Sequence, residues 1–527
     1  MIKKLLNLIY EAVRKMLGYK TITTAFELDD STVSDIMSDS FDLWKRLYKD
    51  QAPWLDDIKG VYSLNLAKQI CQAMQQQVLS EVETSITEPG IEDAQDEDKN
   101  ALKNTRAQFL NDIYQKRLIK KLPETFEKAL ALGGMIIKPY ISNNQVYLDF
   151  NYQGEFYPIS FDDDGNIIDI AFFDQFTSGK YIFTKVERQT FSQEKRCVVV
   201  ENKAFKAQIR SEDDEEEQEL GQEIALSSIE RWNGISEEPV LVGNTDKPLY
   251  GFFRVPFANN IDMKSPLGIS IFAPAVKLIR QADMQFSRLD WEYNGGQLAI
   301  DVDPTALKFT EGYYGTMAEM DNLQDRLYRK LDMGASDTYK AWSPALRDDN
   351  YMQGLNFYTN KIEDIIGLAR GTLSQVEAEA RTATEIKLLK QRTYITVSAL
   401  QDALESCLLD VVYAMNIFVD LYGLASEGDY DTNIEWKDSI LTDTDTELEQ
   451  KLNLQNAGIL SKAEVRAWYT GESLDAAQLE IDKMQEQAQA NMLNDLFTTQ
   501  RTNSETTLEN GENEDANTNS NKGENEE

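Results

Sequence analysis

The feature that most constrains this chain is the stretch from Thr382 to Gly423. Thr382-Ala383-Thr384-Glu385 is a capping box, in which Thr382 and Glu385 satisfy amides that a helix start otherwise leaves unpaired. Ile386, Leu389, Val397, Leu400, Leu404, Cys407, Val411, Met415 and Phe418 then recur at helical spacing up to Gly423. The pattern predicts one helix of about 40 residues and ~60 Å. Few compact domains need a helix that long, so it implies an elongated subunit or lateral packing in an oligomer.

Other helices flank a β region. Tyr62 to Val82 and Asp98 to Leu132 carry apolar residues at three- and four-residue spacing, separated by the acidic stretch Glu88 to Asp98. After Gly133-Gly134 the period becomes two through 135–140, 146–150, 156–161, 167–173, 181–191 and 196–205. Turn signals at Asn143-Asn144 and Asp164-Gly165-Asn166 make this an antiparallel meander. The acidic run 211–219 reads as a solvated loop, and strand-like sequence resumes over 239–256. Pro274 opens a further helix carrying Val276, Ile279, Ala282, Phe286, Leu289 and Tyr293 up to Gly295-Gly296. A second of similar length runs from Asp348 to Ile366, with Leu355, Tyr358 and Ile362 on one side and Gly367 after it. Between them lies a small α/β insertion. Three shorter helical segments follow, 446–456, 462–469 and 474–497, the second opening with a capping-box pattern from Ser461 to Glu464. The polar, acidic residues 498–527 read as disordered.

Composition excludes much chemistry. The 527 residues include no histidine, which removes Ser-His-Asp and Cys-His nucleophiles and His-ligated zinc. Cys71, Cys197 and Cys407 lie far apart, so neither a disulfide framework nor a Cys-x-x-Cys site is available, and a reducing folding environment fits. The N-terminal stripe of Leu5, Leu6, Leu8, Ile9, Val13, Met16 and Leu17 reads as a docked or frayed terminal helix rather than a membrane-surface one. Ser178-Gly179-Lys180 lacks the earlier glycine of a phosphate loop and reads as a hairpin turn. Asp162-Asp163-Asp164-Gly165 lacks a calcium loop's terminal glutamate and reads as an ordinary turn. The formal charge of −37 supplies abundant acidic pairs, and none is singled out, so a carboxylate-based metal-dependent nuclease or glycosidase is the alternative reading. Arg370, Arg381, Lys387, Lys390 and Arg392 cluster at the start of the long helix, where local contact with phosphate is the functional reading.

The order of these parts resembles bacteriophage portal proteins, the head-to-tail connectors of tailed phages, most closely those infecting Gram-positive bacteria. Ser265-Pro266-Leu267-Gly268, Asp290-Trp291-Glu292-Tyr293, Arg347-Asp348-Asp349-Asn350-Tyr351, 367–374 and 381–386 carry the resemblance, with weaker support from 458–461 and Trp468. It implies a mainly helical α+β subunit made of wing, stem, clip and crown. The wing would be 1–272, rejoined by the long helix and connection 382–445. The stem helices would be 273–294 and 348–367, the clip 295–347, the channel loop 368–381 and the crown 446–497. The stem would use Phe286, Leu289, Tyr293, Leu355, Tyr358 and Ile362. Candidates to face DNA would be Arg370, Gly371, Thr372, Ser374, Gln375, Arg381, Lys387 and Lys390, on a loop suited to move as a gate.

The implied assembly is a ring, usually of twelve copies, at one capsid vertex of the virion, built in the host cytoplasm. Double-stranded DNA would be packaged and ejected through it. Its partners would be the large terminase subunit, head-completion adaptor proteins, and the major capsid and scaffolding proteins. The resemblance implies no membrane, no cofactor, no metal and no enzymatic activity in this chain.

Overall fold

The structure is a computed structural model that describes residues 26, 33–89, 105–209, 220–296, 299–302, 328–330, 339–342, 344–375, 383–436, 444–474 and 476–487. The N-terminal stripe, the acidic run 211–219, Arg381, the capping residue Thr382 and the tail 498–527 lie outside these residues. Among the described residues helix outweighs strand, and the fold is α+β with predominantly antiparallel sheets.

Helix α1 (Asp35–Tyr48) is capped by Ser34, whose hydroxyl accepts from the Met37 amide, and buries Met37, Phe41, Trp44 and Leu47 along one face. A short α2 (Pro53–Asp57) leads to α3 (Leu66–Leu79), which buries Ile70, Cys71, Met74 and Val78. Strand β1 (Val82–Thr87) follows. The helix expected to continue to Leu132 is broken into α4 (Thr105–Ile113), a π-helical segment (Tyr114–Ile119) and α5 (Leu122–Leu132). Pro123 explains the last break, because proline has no N–H to give and fits only a helix's first turn. Gly133 ends α5 at φ 89°, a left-handed conformation.

The meander is present. β2 (Gly134–Ser142), β3 (Gln145–Tyr152), β5 (Ile167–Ser178) and β6 (Tyr181–Ser192) lengthen the expected strands at their ends, β4 (Phe156–Phe161) has the expected bounds, and β7 (Cys197–Gln208) starts one residue later and runs three further. Asn143 and Asn144 both adopt positive φ, the tight hairpin turn that asparagine tolerates. Gly179-Lys180 connects β5 to β6 as a turn. Asp162 Oδ1 accepts from the amides of Asp164 and Asn166, so the aspartate run closes an ordinary turn. With β8 (Gln222–Ile224), β9 (Val240–Gly243) and β10 (Gly251–Arg254), the strands form two sheets. One is ordered β10-β2-β3. The other is β4-β5-β6-β7, with β8 and β9 both pairing β7.

After β10 come α6 (Val276–Gly295), strands β11 (Ala299–Val302), β12 (Tyr328–Lys330) and β13 (Tyr339–Trp342) in the order β12-β11-β13, and α7 (Asp348–Ile366). Helix α8 (Ala383–Leu421) has 39 residues, as the pattern predicts. It buries Val397, Leu400, Leu404, Cys407, Leu408, Val411, Val412, Met415 and Val419, and packs on β10, β2 and α3. Much of its length thus serves the core of its own chain. Strand and helix come close at Gly251 of β10, where a Cβ would stand 2.3 Å from the Cys407 carbonyl oxygen, so only glycine lets them meet there.

β14 (Asp431–Trp436) then returns to pair antiparallel with β1 in a two-stranded sheet. Neither strand is expected from the sequence, since six residues beside long helical patterns carry little periodic signal. Residues 1–437 form one compact unit and 438–527 a second. Within the second, α9 (Thr444–Asn456) and α10 (Lys462–Thr470) pack together, and Ser461 with Glu464 forms the expected capping box. Helix continues over 476–487.

Candidate functional site

Helices α6 and α7 are the frame of the site. They lie antiparallel and packed on each other, Gln285 Nε2 donating to the Tyr351 carbonyl at 3.2 Å. Gly354 makes room for that contact, since a Cβ there would come within 2.7 Å of the Gln285 amide nitrogen. Of the residues expected on these helices, Leu289 and Ile362 are buried, Phe286, Leu355 and Tyr358 half-buried, and Tyr293 exposed. Trp291, Phe357 and Ile365 are exposed as well, 67%, 57% and 46%, an unusual cost in water for large apolar side chains on a packed helix pair.

The first half of α6 is anchored in the N-terminal region. Asp283, buried, accepts from Trp54 Nε1 and the Leu64 amide, both at 2.9 Å, and the Tyr62 amide donates to Ser287 Oγ at 2.8 Å. Burial raises the Asp283 carboxyl above its ordinary value, against the lowering effect of these hydrogen bonds. At the far end, Glu292 accepts from the Arg347 amide and from its guanidinium Nε and Nη2, at 3.1, 3.2 and 2.8 Å. These hydrogen bonds hold the Glu292 carboxyl below its ordinary value. The clamp ties the end of α6 to the start of α7, so the insertion carrying β11–β13 leaves and rejoins the frame at one point.

The segment after α7 is held by two adjacent carboxylates. Gly367, at φ 87°, ends the helix, and its amide and that of Leu368 both donate to the Glu363 carbonyl. Glu363 itself is fully buried. Its Oε1 accepts from the amides of Leu373 (2.5 Å) and Ser374 (2.9 Å), and its Oε2 from the Ser374 hydroxyl (2.7 Å) and the Gly371 amide (3.3 Å). The Gln375 amide donates to Asn356 Oδ1 at 2.9 Å. Asp364 takes Arg370 in a two-point contact at 3.1 and 2.9 Å, while Arg392 of α8 and Lys361 of α7 approach it at 3.6 and 3.7 Å. The Arg370 contact, foremost, holds the Asp364 carboxyl below its ordinary value.

The structure therefore brings Arg370, Gly371, Thr372, Ser374 and Gln375 into one turn against the end of α7. Thr372 is exposed and donates its hydroxyl to the Ala369 carbonyl, while Ser374 is buried. Lys387 and Lys390 lie within α8, their side chains outside the described residues. Sequence reasoning missed Lys361, Glu363 and Asp364. The signal for Glu363 was its place beside Ile362 and Ile366 on an apolar face, where a carboxylate must find hydrogen-bond donors. Among the described residues no group of three His, Cys, Asp or Glu is placed to hold a metal ion, and no helix is long and apolar enough to cross a membrane.

No protein-family model matches the chain, and no curated protein matches it.

Proposed function

We propose that the chain is the subunit of a phage-type portal, a ring through which double-stranded DNA passes. The observation that carries this reading is the frame itself. Two antiparallel helices of 20 and 19 residues bracket a small sheet, and the second runs through a short tied turn toward a 39-residue helix. In this reading α6 and α7 are the stem, β11–β13 belong to the clip, and 368–381 is the loop at the channel. A neighbouring copy covers Trp291, Phe357 and Ile365. The chain's charge of −37 suits a conduit that must not hold DNA, because every phosphate neutralised by Lys or Arg adds sequence-independent affinity and drag. The clip docks the large terminase subunit and adaptor proteins, and the ring nucleates assembly with capsid and scaffolding proteins.

The test is native mass with image averages of the same sample. A closed cyclic particle near ~720 kDa, twelve copies of the 60.1 kDa chain, with a central hole is the expected outcome. A stable 60.1 kDa monomer across salt and divalent-cation conditions overturns the reading.

A further inference from the structure

The turn at 368–375 has the composition of a free loop, Gly371 and Thr372 between two rigid helices, and its hydrogen bonding is the opposite of one. Three successive-turn amides and one hydroxyl converge on a single buried carboxylate that α7 supplies from its last turn. Such a carboxylate is costly to bury without those donors, and the amides are costly to bury without the carboxylate. Each side requires the other. The neighbouring Asp364 adds a second tie, from the turn's Arg370 to α7, and draws Arg392 of α8 to the same point. The Arg392 guanidinium also donates to the Asp364 carbonyl at 3.3 Å. A Cβ on Gly367 would meet Thr396 Oγ1 of α8 at 2.3 Å, so α8 also walls in the start of the turn.

We propose that Glu363 is a positioning residue that latches 368–375 to α7 as a rigid continuation of that helix, and that Asp364 couples this latched turn to α8 through Arg370 and Arg392. The functional consequence rests on the portal reading: the resting position of Gly371 to Gln375 at the channel is set by α7 and not by the loop's own flexibility. Displacing this turn then requires breaking the Glu363 contacts or moving α7 with it.

The two oxygens of Glu363 make the test specific. In Glu363→Ala the Leu373 and Ser374 amides lose their acceptor, whereas the Gly371 amide, 3.3 Å from Glu363 Oε2, keeps its nearer acceptor, Ser374 Oγ at 3.0 Å. In Glu363→Gln the single carbonyl oxygen keeps the Leu373 and Ser374 amides at the Oε1 position, and the NH₂ at the Oε2 position faces the Gly371 N–H donor to donor. Amide hydrogen exchange is read on the full-length protein at neutral pH. In the wild type the amides of Gly371, Leu373 and Ser374 exchange slowly. Glu363→Ala accelerates Leu373 and Ser374 by about 100-fold and Gly371 less, because Ser374 Oγ still accepts from it, whereas Glu363→Gln leaves Leu373 and Ser374 near wild-type rates. Amides of α6 and of the middle of α8 stay at wild-type rates, which general destabilisation would not allow. Rapid exchange at 371–374 in the wild type, or equal effects of the two substitutions on the three amides, overturns the latch. Should either variant fail to fold, Ser374→Ala, which leaves the carboxylate but removes the hydroxyl that donates to it and accepts from Gly371, still reports, with Leu373 retaining most of its protection and Gly371 exchanging faster. Loss of all protection in that variant counts against Glu363 as the hub. Native mass is recorded on the same samples. A monomer with the expected exchange pattern defeats the portal reading and leaves the latch, whereas a ring with an unprotected turn does the reverse.

Discussion

Replacing Glu187 by glutamine tests the electrostatics between the two meander sheets. Glu187 of β6 receives Lys138 Nζ of β2 at 2.8 Å, Lys185 Nζ at 3.4 Å and Gln189 Nε2 at 2.9 Å, and the Glu187 and Lys138 side chains are only 15% and 8% exposed. Burial alone would raise its pKa, but the two ammonium groups and the hydrogen bonds more than offset this and bring it from 4.5 to about 2. A carboxylate depressed in this way stabilises the fold fully above its unfolded value of 4.5, and that contribution is lost as pH falls toward 2. At about 1.4 kcal/mol for each tenfold change in proton affinity, the contribution near neutral pH is on the order of 3 kcal/mol. Glu187→Gln should lower stability by that order at pH 7, because two buried ammonium groups then share no counter-charge. The gap to wild type should close between pH 4.5 and 2. Hydrogen exchange of β6 amides is the appropriate assay, since a chain of two compact units has no single unfolding free energy. A gap that stays constant from pH 6 to pH 2 would refute the reasoning.

Two further substitutions probe the frame. Glu292→Gln weakens the Arg347 clamp, so limited proteolysis should cut within 297–343 faster than in wild type while α6 and α8 survive; unchanged cleavage would show that the clamp does not tether the insertion. Gly251→Ala drives a methyl group against the backbone of α8 and should cost roughly 1–3 kcal/mol, seen as faster hydrogen exchange of β10 and mid-α8 amides. Gly354→Ala should cost less, because the atom it meets is the end of the Gln285 side chain, which can swing aside.

The sequence by itself determined the elements whose hydrophobic period persists over many residues. The 39-residue helix, the matched pair α6 and α7, the meander and the Ser461 capping box all follow from local spacing, because burial of one face repeats a pattern every turn or every second residue. Tertiary structure alone decided what those elements meet. β1 and β14 are too short to announce themselves and become strands only by pairing with each other. The break before α5 needed only Pro123, but the role of Gly251 became visible only with Cys407 beside it. The same holds for the site. Arg370 and Arg392 could be read as a basic cluster, whereas the one carboxylate that engages both, Asp364, comes from the last turn of α7, beyond the reach of local spacing. A side chain's partners across the fold are set by packing, and the turn at 368–375 reads as loose in sequence because the buried charge that holds it belongs to the preceding helix.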